Sequence, residues 1–343
     1  MRKLLNVLYV TSENAYAMLD GENVVIKEKD NTLGRFPLHI LEGIYIFSYA
    51  GASPALIGKC VEKNIDMVFC TPRGYFLARP TGRTQGNVLL RREQYKIADM
   101  EKLKTEISKN FILGKIVNEK NVLSRMIRDH ENRINKTDFE DAITILKNMI
   151  DEVQRADNVE SIRGYEGVAA SAYFSRFNDM ILRNEEDFAF NGRNRRPPLD
   201  NINALLSFVY MMLTSMCCSA LETVGLDPFV GFMHTDRAGR KSLALDLIEE
   251  LRPCLADRFV LSLINNGVVN GNMFEKQDSG AVIISENGRK KIQQAWQNKK
   301  QEKITHPYLK EKIEWGVLPY AQAMLLARFV RGDLEGYPAF IWR

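Results

Sequence analysis

Up to about residue 90 the apolar positions fall in short runs at 7–10, 15–19, 24–27, 43–47, 66–70 and 75–78, mostly of β-branched and aromatic residues. Asp20-Gly21, Asn31, Gly34, Pro37 and Arg73-Gly74 punctuate them with residues that suit turns, so the pattern predicts short strands. Residues 53–64 differ: Ser53 can cap a helix with Pro54 in its first turn, and Ala55, Leu56, Ile57, Cys60 and Val61 supply an apolar stripe. After Asn87 the texture changes. Residues 89–117 contain no Pro, and Leu, Ile and Tyr recur at threes and fours, which predicts one long helix. The same period predicts helices over 138–156, 166–181, 203–224, 242–251 and 288–303. The fold class expected is α+β: a small β-rich domain over 1–90, followed by a larger all-α domain over 91–343.

Composition narrows the class further. A chain of 343 residues has room for two substantial cores, and 26% charged residues beside 45% hydrophobic ones is an ordinary globular balance. The formal charge of +4 is too mild to establish nucleic-acid binding, so local clustering has to carry that argument. Cysteines at 60, 70, 217, 218 and 254 form neither CxxC pairs nor a regular disulfide framework, which points to buried thiols in a reducing cytoplasm. The first ten residues run into strand-like alternation without a signal-peptide cleavage region. Residues 204–220 are uncharged, but Ser207, Thr214, Ser215 and Ser219 interrupt them. They fall short of the roughly 20 strongly apolar residues of a membrane span, so a buried central helix is expected. No phosphate-binding GxxxxGK[ST] loop, dinucleotide fingerprint or GxSxG elbow is present.

Three segments carry candidate chemistry: Arg163-Gly164-Tyr165-Glu166-Gly167, Gly231-Phe232-Met233-His234-Thr235-Asp236-Arg237, and the stretch from Leu245-Asp246 through Glu249-Glu250 to Arg252-Pro253. Each sets a carboxylate or imidazole among apolar neighbours, where an ionised acid is costly to bury unless something pairs with it. A divalent cation is a strong partner for such a set, and hard ions accept mixed oxygen and nitrogen ligands while leaving positions open. Ala169, Ala170, Tyr173 and Phe174 follow Glu166 at helical spacing, which places it in the first turn of an amphipathic helix, where it could equally serve the positive helix end. At 100° per residue Asp246 and Glu249 lie about 60° apart and Glu250 about 40° to the other side, so spacing alone leaves all three acids open.

The order of an isolated Glu, a Gly-Phe-x-His-Thr turn and a Leu-Asp-x-x-Glu helix resembles the signature of the CRISPR-associated adaptation integrase/endonuclease, the universal spacer-acquisition protein. The resemblance extends to Arg196-Pro197-Pro198-Leu199-Asp200-Asn201, to Gly43-Ile44-Tyr45-Ile46-Phe47 and to Pro72-Arg73-Gly74, and is nearest to the type I-C branch. It implies an amino-terminal β-domain that mediates homodimerisation, an α-helical catalytic domain, Mg²⁺ or Mn²⁺ as cofactor, and DNA as substrate. A small ferredoxin-like CRISPR-associated protein is the implied partner. By the same resemblance Glu166, His234 and Glu249 are metal ligands, Asp246 is a ligand or a supporting acid, and Glu250 is a solvated neighbour. Many relatives have Asp where this chain has Glu249.

Basic residues fall in groups that could follow a nucleic-acid backbone. Arg193, Arg195 and Arg196 precede the Pro pair; Arg289, Lys290, Lys291, Lys299, Lys300 and Lys303 occupy the later helix; Arg73, Arg79, Arg83, Arg91 and Arg92 lie near the domain junction. Arg237 is the candidate phosphate contact beside His234. The activity expected is insertion of new spacers into CRISPR arrays, by 3′-hydroxyl attack on phosphodiesters at the repeat boundary.

Overall fold

The computed structural model describes residues 6–342 apart from 13, 64, 73–75, 81–87 and 184. Its amino-terminal part holds β1 (Asn6–Val10), β2 (Tyr16–Asp20), β3 (Asn23–Glu28), β4 (Asn31–Pro37), β5 (Leu41–Ile46), α1 (Pro54–Glu62), β6 (Asp66–Cys70) and β7 (Phe76–Ala78). Strands β2-β3-β4 form an antiparallel sheet, and β1-β5-β6-β7 a mixed one in which β1, β5 and β6 run parallel. Period-two alternation decides what each face covers. Ile44, Ile46 and Met67 face a local core with Leu56 and Cys60 of α1, whereas Tyr45, Phe47, Val68 and Cys70 belong to the core of the helical part. As expected, Ser53 caps α1, its hydroxyl accepting from Leu56 N at 3.2 Å.

The remainder is mostly helical: α2 (Val88–Asp99), α3 (Glu101–His130), α4 (Lys136–Arg155), α5 (Val159–Ser175), α6 (Asn201–Val224), α7 (Ser242–Glu249) and α8 (Arg258–Asn265). Then come a hairpin of β8 (Phe274–Lys276) and β9 (Val282–Ile284), α9 (Glu286–Gln301), a hairpin of β10 (Lys303–Thr305) and β11 (Lys312–Glu314), and α10 (Leu318–Val330). α6 is the one helix among the described residues long and apolar enough to cross a bilayer, and 67% of its most apolar stretch is buried inside the protein, as the sequence led one to expect.

Three expectations change. Strand β4 was missed because its Asn31, Gly34 and Pro37 read as turn residues; it is a largely exposed edge strand whose backbone pairing to β3 tolerates them. The helix expected over 89–117 is two helices, broken at an extended Met100, so that Leu90 and Ile97 of α2 and Phe111 and Ile112 of α3 all reach the core from different directions. Glu166 lies midway along α5 rather than in its first turn. The Asn158 side chain caps the helix, accepting from Ser161 N at 2.8 Å, and Gly164 and Gly167 are interior to it.

Arg79 ties the two parts together. Its guanidinium meets Asp66 of β6 at 2.5 Å and Glu222 and Ser219 of α6 at 2.8 and 2.7 Å. At the other end of the sheet Gln297 of α9 donates to Val7 O at 3.2 Å, and the buried Lys300 pairs with Glu42 at 3.3 Å.

Candidate active site

Helix α7 ends at Glu249 because Pro253, four residues on, has no N–H to return to the Glu249 carbonyl and its ring crowds that position. The chain continues as a π-helical turn, Arg252–Asp257, a form of helix found often at functional sites. The loop before α7 folds back over it. At Gly231 an added Cβ would stand 2.7 Å from Ser242 Cβ and 2.9 Å from His234 O, so this reversal requires glycine. The loop gathers three amides on one buried acid: Phe232, Met233 and His234 N donate to the Asp246 carboxylate at 2.7, 3.1 and 2.9 Å. His234 Nδ1 is also 2.6 Å from Asp246 Oδ1. A carboxylate oxygen accepts, so Nδ1 carries the hydrogen and Nε2 presents its lone pair to the cleft. Nε2 lies 3.9 Å from Glu249 Oε1.

Glu249 is buried and faces two cations. Arg252 Nη1 is 2.7 Å from its Oε1 and Lys115 Nζ is 2.9 Å from its Oε2. Lys115 also contacts Glu166 Oε1, so one ammonium spans the two acids. Burial alone would raise the Glu249 carboxyl; the charges of Arg252 and Lys115 outweigh it and hold the group below the usual carboxylate range. Burial likewise opposes the Lys115 charge, and Glu249, Glu166 and Glu119 overcome it, holding Lys115 above the ordinary lysine range. Behind this group Tyr210 OH donates to Asp257 at 2.5 Å, with the Arg193 and Arg252 guanidinium groups over its ring at 5.3 and 5.0 Å.

The donor set suits a hard divalent ion. Glu249 is held by cations, Arg252 on Oε1 and Lys115 on Oε2, and shares the Lys115 ammonium with Glu166, so two carboxylates converge on one positive charge. Two ligands each about 2.1 Å from one ion lie about 3–4.2 Å apart, and the His234–Glu249 separation falls within that range. Among the described residues no three His, Cys, Asp or Glu side chains close by themselves to metal-holding distances, and the Lys115 ammonium lies between the acids. Holding an ion therefore requires Lys115 to draw back. Neither Lys115 nor Arg252 was singled out from the sequence as a site residue. The signal was there: Lys115 is a charge in the apolar run Phe111-Ile112-Leu113-Gly114-Lys115-Ile116-Val117, the same anomaly that marks Glu166.

Glu250 corrects an expectation. It is fully buried rather than solvated, on the side of α7 away from His234. Its Oε1 accepts from Tyr337 OH at 2.5 Å and Gln322 Nε2 at 2.8 Å, and its Oε2 from Phe340 N at 2.7 Å. Burial pushes this carboxyl up to about 7 against the pull of those hydrogen bonds.

The basic candidates divide. Arg195, Arg196, Arg237, Lys290 and Lys291 are exposed, Lys290 pairing with Glu286 at 2.7 Å. Arg240 lies close enough to Arg237, Arg163 and Arg196 for their charges, after burial, to depress its own ionisation, so these four make one arginine group beside Asp246. Arg163 also donates to Met233 O and, at 3.0 Å, to Thr235 Oγ1, tying α5 to the His234 loop. Arg193 turns inward, bonding Asn203 Oδ1 at 2.5 Å and Asn194 O at 2.6 Å, and thus serves the fold. Arg79, Arg289 and Lys300 are also drawn into the protein by internal partners. Arg73 and Arg83 lie outside the described residues. All five cysteines are free and buried.

The sequence model of the CRISPR associated protein Cas1 family matches residues 8–298. The chain belongs to the Cas1 family. It is 45% identical over 343 residues, all of both chains, to a CRISPR-associated endonuclease Cas1 of Chlorobaculum tepidum, and 46% identical over 347 positions, again all of both, to one of Rhodospirillum rubrum. Among solved structures, a casposase bound to its integration product superposes with a TM-score of 0.85 at 21% identity, over 98% of this chain and 94% of that one. The complex Cas6-RT-Cas1–Cas2 matches with a TM-score of 0.81 at 21% identity, over 100% of this chain and 36% of that one. These likenesses show the Cas1 fold: a β-rich amino-terminal region followed by a mostly helical part.

Proposed function

We propose that this Cas1-family chain is a divalent-metal-dependent DNA endonuclease/integrase of CRISPR adaptation, in which Glu166, His234 and Glu249 hold Mg²⁺ or Mn²⁺. The observation that carries the reading is the convergence of Glu166 and the buried Glu249 on one ammonium, that of Lys115, with His234 Nε2 3.9 Å from Glu249 Oε1. When bound, such an ion stabilises the charge that develops on the attacking and leaving oxygens of a phosphodiester exchange. The protein does the rest. Asp246 fixes the tautomer and the angle of His234, Lys115 neutralises the two acids until the ion arrives, and Arg163, Arg196, Arg237 and Arg240 draw phosphates to the cleft. Gly164 and Gly167 leave the exposed face of α5 bare, about 160° and 100° around the helix from Glu166, with nothing within 4 Å of where their Cβ atoms would stand. That gap admits a DNA backbone.

A 3′-hydroxyl placed in the cleft gives strand joining and water gives cleavage, so both activities belong to one site. The curated relatives are named endonucleases, and the casposase neighbour was solved on an integration product. Assembly as a homodimer through the β-rich part, with division near residue 90, partnership with a small ferredoxin-like protein such as the Cas2 of the neighbouring complex, placement in the type I-C branch and a cytoplasmic location belong to the same proposal. The test is product analysis with purified protein, partner, labelled DNA ends and a repeat-containing target in Mn²⁺. Branched, joined DNA is expected. Free cut ends alone point instead to a repair nuclease, and no metal-dependent product at all to a DNA-binding scaffold.

A further inference from the structure

We infer that Glu250 is a positioning residue that fixes Glu249 at the cleft by clamping the end of α7 to the C-terminal segment. This rests on the reading of Glu249 as a cation ligand. The two acids are neighbours, about 100° apart around the helix axis, so any rotation of the last turn moves both. That turn has no regular helix beyond it to hold its register, because Pro253 converts the continuation to a π-helical turn. The Glu250 side chain holds the register instead, through three hydrogen bonds to Tyr337, Gln322 and Phe340, residues 72 to 90 positions later in the chain.

The segment it holds is itself tied to α3. Asn118 Nδ2 donates to Glu250 O at 2.7 Å and to Phe340 O at 2.8 Å, Asn118 Oδ1 accepts from Trp342 N at 2.8 Å, and Asn121 donates to Trp342 O at 2.6 Å. Where the elements meet, a Cβ at Gly114 would stand 2.9 Å from Glu250 Cβ and 3.0 Å from Ala339 Cβ. The contact pair Gly114 and Glu250 therefore flanks the ion pair Lys115 and Glu249, one residue along on each helix. The clamp is also oriented. His306 Nδ1 accepts from Tyr308 and Leu309 N at 3.3 and 3.2 Å, so its Nε2 donates to Gln322 Oε1 at 2.9 Å and turns the Gln322 amide nitrogen toward Glu250.

The experiment is Mn²⁺ titration followed by the electron paramagnetic resonance signal of the free ion, with Tm recorded for each protein. It compares wild type with Glu250→Gln, Tyr337→Phe, Glu249→Gln and Val153→Ala, the last a buried residue of α4 outside the clamp. Glu250→Gln should weaken Mn²⁺ binding about 10-fold or more, in the range that outer partners of ligands command, and Tyr337→Phe in the same direction by less. Val153→Ala should lower Tm and leave Mn²⁺ affinity unchanged. Wild-type affinity in Tyr337→Phe and in a folded Glu250→Gln, with Glu249→Gln defective, overturns the positioning role and leaves the ligand reading standing. Wild-type affinity in Glu249→Gln overturns the ligand reading and the inference with it.

Discussion

A carboxylate that collects three backbone amides and an imidazole N–H has little coordination capacity left, and that separates Asp246 from Glu249. Asp246 orients; Glu249 and Glu166 face the cleft. Asp246→Asn should reduce joining by about 10–100-fold, while Glu166→Gln, His234→Ala and Glu249→Gln should reduce it further, all with circular dichroism and Tm close to wild type. Initial joining rates across a Mn²⁺ series check the ranking, and equal losses in all four would erase the distinction. His306 gives a separate test at this scale. Burial pushes its imidazole below the ordinary histidine value, so the folded chain binds that proton less readily than the unfolded one. Its contribution to stability is complete above about 6.5 and is lost as pH falls through the lower folded value. Urea denaturation between pH 7.5 and 5.5 should show wild type losing stability with acid faster than His306→Gln, and parallel slopes would remove His306 as the cause.

Among the elements, α5 carries an anomaly that the fold does not need. Two interior glycines cost helix stability, yet nothing stands near enough to require them. If the bare surface serves the substrate, stability and activity should move in opposite directions. Gly164→Ala and Gly167→Ala should each stabilise by up to about 1 kcal/mol and slow DNA joining. A rise in both stability and rate would contradict that role. The elements also show what could be read from sequence and what could not. The Ser53 cap and the α6 core helix depend on local patterns, and they stand where the sequence placed them. Strand β4 depends on a partner strand, the break at Met100 on two packing directions, and the burial of Glu250 on residues 322–340, none of which a local window contains. Within the site, the matched motifs pointed to Glu166, His234, Asp246 and Glu249. Lys115 was passed over because it belongs to none of them, and only the crossing of α3 beneath α5 and α7 brings it to those acids.

For the molecule as a whole, the joint between the β-rich and helical parts is charged at its centre. Arg79, 8% exposed, answers Asp66 on one side and Glu222 on the other. Breaking a buried pair strands its partner, so Arg79→Met should cost about 3–5 kcal/mol, read by urea denaturation, with the sheet and α6 uncoupling first. A change below about 1 kcal/mol would mean that the apolar contacts of Tyr45, Phe47 and Val68 carry the joint alone. That joint places the sheet behind α6, and α6 in turn supports α7 and its acids. The claim on which the account rests is that those acids share one ion. Anomalous diffraction at the manganese edge, from crystals soaked in MnCl₂, tests it most directly. The account predicts a single strong peak bounded by Glu166, His234 Nε2 and Glu249, with the Lys115 ammonium drawn away from both acids. A cleft without manganese signal, with Lys115 still bridging Glu166 and Glu249, would contradict it.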